Sequence, residues 1–522
     1  SLELRTGSTF DNTSATLNNN NNAVLNLDID LALGSAAAGT INLNAGGTIN
    51  NNAALTNVAG HTQINNGTLN NNDTLTNSGT VDNVGMLNLK AGSTFDNTSA
   101  TLNNNNNAVL NLDIHLALGS AAAGTINLND GSTLNSRGWI NITRGYTQTN
   151  NGTLNNNADG EVYNSGTLIN NGTLNNNADS EMYNNDMLTN NGTLNNNAGS
   201  MLRNQGRLLL NNGTLNNNAD GEVYNAGTLT NNGTLTNNGT LNNDWGRLLT
   251  NDGTLDNSGT LTNDGTLDNS GTLTNDGTLI NNNDLTNNNT IYNNANISNS
   301  GTFDISATGA MYNTGTFTQT AGSTIVNGIF DGGNLDIQGG ILSGSGTINA
   351  DTLTIAAGGT INPGNSPGTL IMISDVDLLG TLQTEIIDTS VFDMLEIQGN
   401  VTLSDTSAFD FLFDSSYVAI DGDSFDFLSA FDFDFGSVTD FFDITDMGNF
   451  TVTGLDNAFG WSVSYTDSYN NQTPNYLSLN LVDNGLVSNA VSAPATLGLF
   501  GLALTLIGWG RFRRTKLRGL SS

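Results

Sequence analysis

Apolar residues are sparse along this chain, and they recur on a fixed beat. From Gly253 to Leu279 a Gly-Thr-Leu triplet returns at Gly253, Gly259, Gly265, Gly271 and Gly277, a period of six. One apolar residue in six, set among Asn, Asp, Ser and Thr, is too few for an ordinary globular core. It suits a solenoid, in which each short strand turns one Leu inward and the next coil stacks on it. A longer period lies over the first. Between Gly152 and Gly253, units opening on Asn-Asn-Gly-Thr-Leu run for 20 residues, once for 21. Glycines at Gly152, Gly160, Gly166 and Gly172 divide a unit into three steps, which predicts a three-sided coil. The apolar positions then fall into columns, one per face: Leu154, Leu174, Leu194 and Leu215; Val162, Met182, Leu202 and Val223; Leu168, Leu188, Leu208 and Leu229. Strand side chains alternate in and out, so one column per face is what a parallel β-helix asks for. Gly and Asn tolerate positive φ and suit the corners, and stacked Asn side chains can hydrogen-bond to their copies about 4.8 Å up the axis.

The segment from Gly7 recurs almost unchanged from Gly92, as stacked coils permit. His115 stands where the first copy has Asp30. That position accepts either residue, so His115 reads as a surface residue, and His61 likewise. The predicted fold is all-β: a three-sided parallel β-helix, then a C-terminal β region and one C-terminal hydrophobic helix. Residues 1–330 are the Asn/Gly/Thr/Leu-rich repeats, 331–380 degenerate final coils, 381–485 an acidic, Phe-rich capping region, and 486–522 a separate tail. The capping region alternates Phe with Asp, as in Phe431-Asp432-Phe433-Asp434-Phe435, which predicts a half-buried antiparallel or edge strand with an acidic outer face.

Charge narrows the partners. Twelve Lys and Arg stand against 47 Asp and Glu, for a net charge of −35. Such a surface repels phosphate and excludes nucleic acid as a partner. There is no cysteine, which fits an exported bacterial protein without disulfides. The chain starts at Ser1 with neither an initiator Met nor a signal peptide, as a mature form or a fragment would. Five basic residues crowd the end: Arg511, Arg513, Arg514, Lys516 and Arg518. Before them, residues 495–510 are apolar or small and predict a membrane-crossing helix, with Trp509 at the interface.

This tail resembles a PEP-CTERM sorting signal, the C-terminal tripartite signal of exosortase substrates. Val491, Ser492, Ala493 and Pro494 occupy the motif position, with Ser492 and Ala493 where that family has its first Pro and its Glu. Arg511, Arg513, Arg514 and Lys516 match its membrane-stop cluster. The resemblance implies export, transient inner-membrane anchoring through the helix, an exosortase-like sorting enzyme as partner, and a final place at the cell surface or outside it. A second resemblance rests on Ala356 to Met372, with Pro363 and Pro367 in a Gly-Asn-Ser-Pro-Gly turn. It is similar to the end of autotransporter-type and haemagglutinin-like β-helical passengers. It implies an elongated adhesin or matrix component, and it favours a right-handed coil although six-residue spacing favours a left-handed one.

Catalysis on a β-helix uses clustered carboxylates with Arg or Lys, but basic residues in the repeats are few. Arg203 takes the slot that Tyr163, Tyr183 and Tyr224 hold in neighbouring coils, which reads as a cation–π ladder. Asp421-Gly-Asp423 fails the EF-hand pattern because Phe425 and Asp426 fall at its fifth and sixth positions. No cofactor is expected, beyond weak, diffuse binding of divalent cations. Outward Thr pairs such as Thr260 and Thr262 raise an ice-binding alternative, but Thr-Asp pairs interleave with them. The function expected is a secreted or cell-surface structural and adhesive protein of the matrix or biofilm. It would bind extracellular polysaccharide or other surface components weakly at many points. A carbohydrate-active enzyme on the same scaffold is the alternative from another class.

Overall fold

A computed structural model describes residues 1–35, 39–119, 124–365, 367–435, 449–466 and 474–483. Among them every regular element is a strand, and the fold is a parallel β-solenoid of about 19 turns. At about 4.8 Å per turn the rod is about 90 Å long. Most strands are four residues long and pair in parallel with the third strand before and after, so each turn has three sides. Thr153–Asn156 pairs with Thr173–Asn176, Glu161–Asn164 with Glu181–Asn184, and Thr167–Asn170 with Met187–Asn190.

Two of the Leu columns form as expected, fully buried. The third differs in one rung. Leu188 stacks under Leu209 and Leu209 under Leu229, while Leu208 faces outward. The extra residue of the 21-residue unit is absorbed at Gln205-Gly206-Arg207, where the preceding coil turns with Asn185-Asp186 alone. A one-residue slip would send a whole strand's side chains to the wrong face, so the corner takes the insertion and the strand keeps its register.

Each strand has two inward positions, and the sequence reading counted one. In Thr-Leu-x-Asn the Asn is as buried as the Leu. These Asn residues build internal ladders: short ones from Asn51, Asn57 and Asn65 in the N-terminal coils, then three long ones, one per face. One runs Asn150, Asn170, Asn190, Asn211, Asn231, Asn251, Asn269, Asn287, with each amide nitrogen donating to the next coil's amide oxygen at 2.7–2.8 Å. The second begins at Asn156 and the third at Asn164. The other N–H of each amide reaches across the corner to the backbone carbonyl that opens the next face, as Asn150 does to Thr173 at 2.8 Å and Asn156 to Glu181 at 2.9 Å. A buried polar side chain costs little only when its hydrogen bonds are made, and both donors are made here. Asn51 and Asn65 leave an amide oxygen without a donor at the base of shorter ladders, and the three long ladders each do so at their first rung: Asn150, Asn156 and Asn164. Beneath those rungs lie Leu128, Ser136 and Ile142.

Towards the C-terminal end the core widens. Phe303, Phe317 and Phe330 replace Leu and pack edge to face at 5.0 and 5.9 Å. Strands Asn334–Gly344 and Thr352–Pro363 run around a corner without a break and join two faces. Parallel coiling continues through Thr381–Asp388, Ala408–Phe413 and Phe450–Thr453. Asp432–Asp434 is the outermost strand of its face, paired in parallel with Asn400–Leu403. Alternating Phe and Asp fits a last parallel coil as well as an antiparallel hairpin. Antiparallel pairing appears where Ser424–Ala430 and Phe459–Thr466 flank Asn475–Asp483. These strands help enclose a cluster of Phe409, Phe411, Phe413, Phe425 and Phe427.

Candidate interaction surface

The outward positions carry ladders of their own. Asn26, Asn50, Asn70, Asn88, Asn111, Asn135, Asn155, Asn175, Asn195 and Asn216 form one continuous outer ladder, each amide donating to the coil before it at 2.6–2.8 Å. A corner ladder of Asn151, Asn171, Asn191, Asn212 and Asn232 runs the same way at 2.9 Å. These corner residues are the Asn of Asn-Gly-Thr sequons, and their side-chain nitrogens are tied up in the ladder. The surface is thus a lattice of amide donors and acceptors repeating about every 4.8 Å.

One face departs from this monotony. Tyr163 and Tyr183 stack in parallel, with centroids 4.8 Å apart and planes at 4°. Each hydroxyl bonds the carboxylate two residues earlier, Glu161 or Glu181, and that bond raises each tyrosine's pKa to about 12. The Arg203 guanidinium lies 5.8 Å from the Tyr224 ring centre, so the column is the cation–π ladder its sequence suggested. The rings cover one another's faces and leave mainly their edges to solvent. His115 is exposed; its ring lies 4.7 Å from Trp139, and its Nδ1 accepts from the Trp139 N–H at 3.0 Å.

His61 is not a plain surface residue. It is half-buried, its Nδ1 is 2.5 Å from the Asn57 Oδ1, and burial lowers its pKa. It packs over Gly34, where an added Cβ would come within 2.4 Å of the ring and where φ is +80°. In the duplicated unit Gly119 and Tyr146 repeat the arrangement. Asp421 and Asp423 serve their own turn: Asp423 accepts from Tyr417 Oη at 2.5 Å and from the Ile420 N–H, and Asp421 from the Asp483 N–H. Among the described residues no three His, Cys, Asp or Glu side chains come together as a metal site would require. The Thr pairs are out of phase, since Thr272 and Thr274 stack on Thr254 and Asp256. The sorting motif Val491, Ser492, Ala493 and Pro494, the helix 495–510, and Arg511, Arg513, Arg514 and Lys516 lie outside the described residues. Among those described, no helix is long and apolar enough to cross a membrane.

A notch interrupts the lattice, and the sequence reading passed over it. The neighbouring coils leave the first face through longer corners: residues 90–93 in one coil, 113–115 in the next, 157–160 two coils later. Between the last two, the corner is only Arg137-Gly138. The short corner sits back between longer ones and leaves a groove of about 560 Å³, lined by Lys90, Asp113, Arg137, the outer-ladder Asn111 and Asn135, and the two corners above. The signal available in the sequence was the corner length, which shows only once the strands are counted.

The haemagglutinin repeat matches residues 64–117, 149–212, 188–293 and 281–362, together just over half of the chain. The chain belongs to the haemagglutinin repeat family. No curated protein matches it. The repeats and the β-solenoid together suggest a surface adhesin-like or secreted repeat protein. The family is typically structural or adhesive.

Proposed function

We propose that this haemagglutinin repeat protein is an extracellular adhesive rod of a bacterial matrix or biofilm, sorted to the surface by an exosortase-type system. The observation that carries the adhesive role is the lattice of outward amides and hydroxyls repeated over many coils. Each contact with a sugar hydroxyl is weak, and a polymer lying along the rod engages many at once. Linked weak contacts raise avidity by orders of magnitude without any single strong site. Retention on extracted matrix polysaccharide, measured for the full chain and for versions with three and six coils excised between Gly152 and Gly277, tests this. Retention should fall steeply with each excision and no new reducing ends should appear. Retention independent of coil number overturns the reading, and new reducing ends move the protein to the enzymes.

Sorting rests on the resemblance of Val491 to Pro494 and of the Arg511, Arg513, Arg514 and Lys516 cluster to the exosortase signal. Expressed in a host with an exosortase, the chain should reach the surface, and truncation at residue 486 should release it to the medium. Equal surface display with and without the tail removes this part of the proposal.

A further inference from the structure

The N-terminal duplication supplies an internal control for the notch. Residues 85 apart correspond, and the same vertical column can be read in both copies. In the first it is Arg5, Asp28 and Asn52, following the paired Leu4, Leu27 and Asn51. In the second it is Lys90, Asp113 and Arg137, following Leu89, Leu112 and Ser136. The first column is closed on itself. Arg5 pairs with Glu3 at 2.7 Å, and the Asn52 amide donates to the Asp28 carboxylate at 2.8 Å. Both closures are gone in the second. The counterpart of Glu3 is Asn88, whose side chain is spent in the outer ladder. The counterpart of Asn52 is Arg137. The side chains of Lys90, Asp113 and Arg137 have no hydrogen-bond or ion-pair partner among the described residues. Two cations and a carboxylate, two coils or about 10 Å from end to end, therefore stand open beside a groove of about 560 Å³, within the roughly 300–1,000 Å³ of small-ligand sites.

From this we infer that the notch binds a carboxylate-bearing sugar, a uronic-acid segment of an acidic polysaccharide; this deepens the polysaccharide reading above and rests on it. Arg137 and Lys90 each take a sugar carboxylate, one of them bidentate through the guanidinium. Asp113 accepts from a hydroxyl of the ring between them. Asn111 and Asn135 bond the remaining hydroxyls through the second N–H and the second oxygen lone pair that the ladder leaves to each amide. In a chain of net charge −35, an anionic polymer is repelled by most of the surface. The notch would thus fix where along the rod it docks.

Calorimetric titration of the full chain with a galacturonic acid trimer, its methyl ester and the neutral galactose trimer tests the assignment. The acid should bind at least tenfold more tightly than the ester or the neutral trimer, and the preference should weaken with salt. Lys90→Gln with Arg137→Asn, the second of which restores the asparagine of the first copy, should remove the preference. Arg137→Lys should keep most of it, and unchanged circular dichroism shows the fold intact. No preference for the acid, or an unchanged preference in the double variant, overturns the notch. Retention that still scales with coil number then leaves the adhesive reading standing; loss of coil-dependent retention with the acid preference intact does the reverse.

Discussion

At the scale of single residues, the inner asparagines decide what this fold tolerates. An amide ladder leaves one acceptor unsatisfied at its base whatever its length, so the end cost is fixed while the satisfied bonds grow with the rungs. Where a rung is removed therefore matters more than what is removed. Asn231→Leu cuts a ladder in its middle: Asn251 loses its donor, Asn211 an acceptor and the Thr254 carbonyl its partner. At about 1–3 kcal/mol for each buried group left unpaired, the local cost is about 3 kcal/mol or more. Asn150→Leu only moves the orphan oxygen up to Asn170 and places Leu over Leu128, at about 1 kcal/mol for the freed Thr173 carbonyl. Amide hydrogen exchange should report this as local opening. Protection around residues 211–251 should fall about a hundredfold in the first variant and less than tenfold around 150–173 in the second. Equal effects would show that the ladder does not act as a connected unit. The leucine rungs behave more simply. Leu215→Ala, at a fully buried site, should cost about 2–5 kcal/mol and open the same coils.

At the scale of elements, the strands were legible and their second inward column was not. Leu154, Leu174 and Leu194 announce themselves because an apolar residue among polar ones has one sensible direction. Asn156, Asn176 and Asn196 do not, because a lone buried Asn is costly and only stacking makes it cheap; the bonds that justify it lie 20 residues away. For the same reason Leu208 and Leu209 could not be told apart until the corner at Gln205 was seen to hold the insertion. The notch was hidden because Lys90, Asp113 and Arg137 are 23 and 24 residues apart and meet only through stacking. The Pro363–Gly368 turn was visible, but its anchor was not. Asp393, fully buried, accepts from the Gly368 N–H at 2.8 Å and the Glu385 N–H at 2.9 Å, and burial raises its pKa to about 6. A carboxyl whose folded pKa lies above its unfolded value binds its proton more tightly when folded. Stability here should therefore fall as pH rises from about 4 to about 6 and then level, by about 2–3 kcal/mol. Wild type and Asp393→Asn, compared by hydrogen exchange near 368–393 at pH 4.5 and 7, isolate this from general charge repulsion. The variant should lose the step even if it is less stable overall. An equal pH dependence in both would place the proton elsewhere.

At the scale of the whole molecule, a rod of about 19 turns and about 90 Å has each coil touching only its neighbours, so stability is local and adhesion is distributed. Solution scattering should give an elongated particle of about that length, and a compact radius would contradict the stacked coils. The same near-identity of coils poses a difficulty during folding, because a strand set against the wrong neighbour one turn away finds almost the same Leu and Asn waiting for it. The exceptions relieve it. Leu43, Leu89, Leu112, Leu128 and Ile142 stand where most coils hold Asn, each meeting an Asn or Ser on an adjoining coil. A slipped pairing would set such an apolar rung where two amides ought to meet. Scattered through an otherwise uniform thread, these odd rungs act like the unevenly cut teeth of a key, and they let a nearly periodic polymer close in only one alignment.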